Sequence, residues 1–106
     1  MPKYMITGSY TLEGIQGVLK EGGTGRRKAV EDAVKSMGGH LETFYFVFGD
    51  NDVLGIADVP DNITAMTLSM GIAATGTVRT KTTVLLTPEE VDQATKKVLS
   101  FRAAGR

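Results

Sequence analysis

In the stretch "YFVFGDNDVLGIADVP", Tyr45 to Pro60, two aspartates flank an asparagine between strongly apolar runs. A pair of carboxylates such as Asp50 and Asp52 could hold a hard cation or move a proton. Calcium, however, takes about 6–8 oxygen ligands, and its loop motif supplies them at fixed spacing that is absent here. Asp and Asn side chains also bond their own backbone and tolerate left-handed conformations. Gly49 precedes them, so Asp50 and Asn51 read first as the turn of a hairpin. Asp52 opens a run whose other members are apolar, which aims it inward at a cavity rim and makes it an acid–base candidate.

His40 is the only histidine. It could act as a general base near neutral pH or as a single haem ligand. One imidazole cannot build a multi-histidine metal centre, and no nucleophile-elbow motif joins it to Ser9, Ser36, Ser69 or Ser100. A histidine at a helix–strand turn is ordinarily solvated. Tyr45 completes the acid–base candidates, and no pair among His40, Tyr45 and Asp52 has the spacing of a known reaction.

A second stretch, "GGTGRRKA" (22–29), puts glycines ahead of a helix start, a setting in which backbone N–H groups bind anions. It lacks the Gly-Lys-Ser/Thr order of a P-loop. Arg26, Arg27 and Lys28 sit at the positive end of that helix, where each cation costs about 0.3–1 kcal/mol. Glu21, Glu31, Asp32, a partner chain or an anionic ligand should compensate. If an anion binds, Arg26 and Arg27 are the clamp, because guanidinium offers a planar fork to carboxylate or phosphate. Ser9 and Tyr10, ending the first strand, fit a cavity mouth. Tyr10, Phe44 and Tyr45 could wall a pocket for a planar ligand, although strand aromatics more often serve cores or interfaces.

Composition narrows the classes. The chain of 106 residues fits one domain, taken as 1–100 with a tail at 101–106. Twelve basic and twelve acidic residues cancel, so nothing draws it generally to nucleic acid or anionic lipid. There are no cysteines, which removes disulfides, thiolate nucleophiles, zinc–thiolate sites and iron–sulfur clusters. No metal and no cofactor is expected. The opening Met-Pro-Lys-Tyr has no signal-peptide pattern, and no apolar run reaches the roughly 20 residues of a membrane helix. A cytoplasmic, bacterial-type protein is the expectation.

The elements that must position these residues follow from periodicity. Residues 3–9 alternate, with Tyr4, Ile6 and Gly8 on one face. Thr11 caps a helix carrying Leu12, Ile15, Val18 and Leu19, which Gly14 and Gly17 weaken and "EGGTG" (21–25) interrupts. From Arg26 to Met37, Val30, Ala33, Val34 and Met37 keep helical spacing, and Gly38-Gly39 stops it. Strands at 41–48 and 53–59 flank the acidic turn. The first is apolar on both faces, with Phe44, Phe46 and Phe48 on one and Tyr45 and Val47 on the other. Asp61 caps a helix with Ile63, Met66, Met70 and Ala74 on its apolar side, closed by Gly76. A strand spans 78–86, its Arg79 and Lys81 marking an edge. "TPEE" (87–90) is a capping box opening a helix with Val91, Ala94, Val98 and Phe101 in one stripe.

The order βαββαβ plus a C-terminal helix is a ferredoxin-like α+β arrangement. Its bare sheet face would be an exposed apolar patch, which a second copy packed sheet to sheet would cover. A homodimer is therefore expected, and no basic-aromatic RNA-binding pattern appears.

The segments "MPKYMITGSYTLEGIQGVLKEGG", "GRRKAVEDAVKSMGG", "FYFVFGDNDVLGIADVPDN" and "KTTVLLTPEEVD" resemble the GYD-domain family over about residues 1–93. Gly49 and Asp52 match the glycine and aspartate of the Gly-Tyr-Asp signature. Asn51 stands at its aromatic position, so no role of a tyrosine ring carries over. The resemblance implies a dimeric α+β barrel of two ferredoxin-like halves, in a superfamily that includes small oxygenases, isomerases, haem-handling proteins and amino-acid sensors. Three classes remain: a binding or sensing module for an anionic or planar small molecule, a small cofactor-poor monooxygenase or isomerase, and a ligand-free assembly protein. The first ranks ahead.

Overall fold

Side-chain oxygens set where the helices begin. Thr11 accepts from Gly14 N at 3.3 Å, Asp61 from Thr64 N at 2.8 Å, and Thr87 and Glu90 close a reciprocal capping box at 3.0 and 3.1 Å. In the computed structural model, which describes all residues from Met1 to Arg106, the order is β1 (Lys3–Tyr10), α1 (Leu12–Ser36), β2 (His40–Phe46), β3 (Val53–Asp58), α2 (Asn62–Ala73), β4 (Val78–Leu85) and α3 (Pro88–Thr95). The sheet is β2-β3-β1-β4 with every neighbouring pair antiparallel. This is the ferredoxin-like βαββαβ order with an added C-terminal helix. β4 is an edge strand, as its charges foretold. No helix is long and apolar enough to cross a membrane.

Register sorts the side chains into two faces. Toward the helices, Val84, Tyr4, Ala57 and Leu41 form one row, Thr82, Ile6, Gly55 and Phe44 the next, then Thr80, Gly8, Val53 and Phe46. Tyr4, Val34, Leu41, Ala57, Val59, Ala65 and Leu68 are the buried core, which therefore sits at the first row's end of the sheet. The Tyr4 hydroxyl donates to Asn62 Oδ1 at 2.5 Å, tying β1 to the first turn of α2. On the opposite face lie Met5, Thr7, Leu54, Ile56, Thr83 and Leu85. No helix packs there, and an ion-pair cluster of Lys3 with Asp58 (2.9 Å) and Glu42 (3.1 Å) marks one end.

Several sequence expectations change in detail. The interruption of α1 narrows to one residue: Gly22, at φ 82° and ψ 170°, is the non-helical joint between its two helical pieces. Its Leu12 and Leu19 are exposed, whereas Gly14 is buried against β4's approach. β2 ends at Phe46, and Phe48 stands wholly in solvent beyond it. A bulge between Leu41 and Thr43 shifts the alternation of β2 so that Leu41, Phe44 and Phe46 all face the helices. On α2 the apolar face is the reverse of the expected one. Ala65 and Leu68 are buried and Ile63, Met66 and Met70 exposed. That helix is apolar nearly all round, so periodicity alone cannot choose its inner side. Finally, α3 ends at Thr95, which leaves Val98 and Phe101 outside the stripe expected of them.

Candidate functional site

Two glycines of the sheet face the helix layer. Gly55 lies opposite Ile6 and Phe44, and Gly8 lies between Val53 and Thr80, all on the helix side. Neither glycine adds side-chain volume between the layers, and over Gly8 that space is taken by Val78 and Val53, whose methyls lie 2.9 and 3.0 Å from where a Cβ would sit. A cavity of about 310 Å³ remains between the layers. Val30, Ala33 and Phe44 contribute apolar wall from one side, and Leu68, Ile72 and Val78 from the other. Its volume falls at the small end of the range for small-molecule pockets.

The polar groups of this cavity cluster at one end. Tyr10 and Arg26 both line it. The Arg26 guanidinium pairs with Glu21 at 3.1 Å, each side chain about one-third exposed. Burial raises the pKa of the Tyr10 phenol above its ordinary value; Arg26 nearby pulls it down, and the negative charges of Asp52 and Glu21 push it further up. The phenol therefore senses the guanidinium and both carboxylates, and it stays a proton donor at neutral pH. Asp52 also has a fixed structural bond: its Oδ2 accepts from the Tyr10 backbone N–H at 2.8 Å. Its own N–H donates to Gly8 O at 2.7 Å and its carbonyl accepts from Val47 N at 2.9 Å. The acidic turn is thus stitched to the end of β1. Gly49 adopts φ 104°, a conformation that suits glycine, and the Asp50 carbonyl accepts from Ser9 Oγ at 2.7 Å.

The other named residues lie elsewhere. Ser9 faces the helix-free side of the sheet and does not line the cavity. Arg27 and Tyr45 border a separate, open groove of about 420 Å³ along the edge strand β2, with Lys28, Glu31 and Glu42. Tyr45 is 65% exposed there. His40 starts β2 opposite Asp58, exposed, roughly 20 Å along the strands from Asp52. His40 is consequently far from Asp52, whereas Tyr45 lies opposite Leu54, two residues along the chain from Asp52, but borders the other groove. Two of the three charges at the start of the second part of α1 are met by protein carboxylates, Glu21 on Arg26 and Asp32 on Lys28 at 2.8 Å, and Arg27 is in no ion pair.

Of the sequence candidates, Tyr10, Arg26 and Phe44 line this cavity and Asp52 does not; Gly8 and Gly55, which also line it, were not among them. The available signal was a glycine within each of two strands, which often marks a close approach or a hollow. The threonines of the wall, Thr75, Thr77 and Thr80, gave no signal at all.

The GYD domain family matches residues 4–95. No curated protein and no solved structure matches the chain significantly.

Proposed function

The chain belongs to the GYD-domain family, and from that premise we propose that it is a homodimeric binding module for a small planar molecule bearing an anionic group. One observation carries the reading: an apolar cavity between sheet and helices whose only cationic lining residue is Arg26. The apolar walls suit a flat hydrocarbon or aromatic body. The guanidinium offers a bidentate fork to a carboxylate. The neutral Tyr10 phenol can donate beside it. Glu21 occupies Arg26 when no ligand does, so a ligand carboxylate replaces one carboxylate by another and leaves the cation paired.

The homodimer is part of the same proposal. The helix-free sheet face carries Met5, Leu54, Ile56 and Leu85, and a second copy would remove that apolar surface from water.

Thermal-shift and calorimetric titration with a series of aromatic carboxylates tests the binding reading, the matching neutral amides serving as controls. Carboxylates should bind and amides should not. Arg26→Gln should weaken binding by roughly 10- to 100-fold, the scale of a charged hydrogen bond. Glu21→Gln should strengthen it by removing the internal competitor. Equal binding of acids and amides, or indifference to Arg26→Gln, would reject the site. Native mass spectrometry at micromolar concentration tests the dimer.

A further inference from the structure

The C-terminal segment does not belong to the body of its own subunit. α3 packs substantially on no strand and no other helix. Leu86, Val91, Val98, Leu99 and Phe101 are all exposed, Val98 to 98%. The radius of gyration is 17.1 Å and the long axis 58 Å, against about 13 Å expected for a compact chain of this length. An arm of this apolar content is not stable in water on its own, since an isolated two-turn helix is far too short.

Helical spacing puts Val91 and Ala94 on one side of α3, with Asp92 and Glu90 flanking them and no basic residue between Pro88 and Thr95. The helix-free face of the sheet is complementary. Its centre is apolar, with Met5, Leu54 and Ile56. Its β4 margin carries Arg79 and Lys81, both exposed and neither in an ion pair. The arm leaves β4 after Leu85, the end of the strand away from Arg79. Thr87 is extended, Pro88 fixes its own φ, and the helix they open does not pack substantially on its own sheet. A two-fold axis that opposes the two open faces with strand directions reversed sets the exit of one β4 beside the start of the other.

We infer that Leu86–Arg106 is an exchanged arm: in the homodimer it crosses to the second copy and lies along that copy's β4 margin, with Glu89 and Asp92 against Arg79 and Lys81. The inference rests on the dimer proposed above. Exchange of this kind fits an isologous interface, in which the same contact is made twice.

The test uses two full-length variants altered only at exposed positions. One is Arg79→Glu with Lys81→Glu; the other is Glu89→Lys with Asp92→Lys, which leaves the Thr87–Glu90 capping box intact. Circular dichroism checks the folding of each, and sedimentation velocity reads the assembly. Each variant alone places like charges together at both contacts, so its dimer should weaken on the order of tenfold. In an equimolar mixture every contact of the mixed dimer pairs opposite charges, and wild-type affinity should return. An arm folded back on its own sheet would leave the mixture as weak as its components, and that result overturns the inference while the dimer stands. Wild-type protein sedimenting as a monomer at micromolar concentration overturns both.

Discussion

Replacing Gly14 by alanine sets helix propensity against packing. Gly14 lies in the first turn of α1, where alanine should gain about 1 kcal/mol. Yet a Cβ at that position would sit 1.9 Å from the Thr77 carbonyl oxygen and 2.9 Å from Tyr10 Cδ1. Carbon and oxygen approach no closer than about 3.3 Å in ordinary contacts, so the helix start must retreat by about 1.4 Å. That movement breaks the bonds joining it to the approach of β4: Thr11 N to Thr77 O at 2.9 Å and Thr11 Oγ1 to Gly76 O at 2.9 Å. Two lost hydrogen bonds cost about 1–3 kcal/mol and the overpacking a similar amount. Subtracting the propensity gain leaves a loss of about 3 kcal/mol, or a fall in Tm of roughly 15 °C for a chain of this size. Gly17, one turn on, has nothing within 4 Å of its would-be Cβ, so Gly17→Ala should gain up to about 1 kcal/mol. Urea unfolding of the pair reads both. A Gly14→Ala protein as stable as wild type would refute the close approach of α1 to β4, and with it the placement of Tyr10 at the cavity.

Three further outcomes are expected. Thr82 has a buried hydroxyl with no hydrogen-bond partner, so Thr82→Val should raise stability by about 1 kcal/mol in the same unfolding assay. Asp61 caps α2 through Thr64 N–H, and that bond holds its carboxyl below the ordinary value of 3.8. Its contribution is therefore fully present above the unfolded-state pKa and lost as pH falls through the lower folded one; Asp61→Asn, which still caps, should flatten this acid limb of the stability profile. At the other end of the pH scale, burial first and then Asp52 and Glu21 raise the Tyr10 phenol, while Arg26 opposes them. Ultraviolet titration of Arg26→Gln should accordingly show this phenol ionising at still higher pH than in the wild type, and Asp52→Asn should shift it down.

The order of strands and helices was legible in the sequence because it rests on local chemistry. Thr11, Asp61 and the Thr87–Glu90 box can serve as caps whatever surrounds them, and Gly38 and Gly76, at φ 79° and 72°, mark helix ends that need a left-handed residue. Alternation in "KYMITGS" likewise fixed which side of β1 carries Tyr4, Ile6 and Gly8. Other features depended on residues far apart in the chain. The inward face of α2 could not be read from a helix apolar on every side; β4 beneath it chose Ala65 and Leu68. The bulge in β2 brought Leu41 to the same face as Phe44 and Phe46, which strict alternation would not do. Gly14 and Gly17 look identical to a propensity scale, and only the path of Thr77 distinguishes them. For the site, residue type offered Tyr10 as a pocket wall, Arg26 as an anion clamp and Asp52 as an acid–base candidate. The placing of Tyr10 and Arg26 in one cavity, with Asp52 bonded to the Tyr10 backbone and His40 and Tyr45 outside the lining, came from the assembly of sheet and helix. Gly8 and Gly55 come to line a cavity only when sheet and helices have been assembled, because empty space is a property of neighbours and not of a residue.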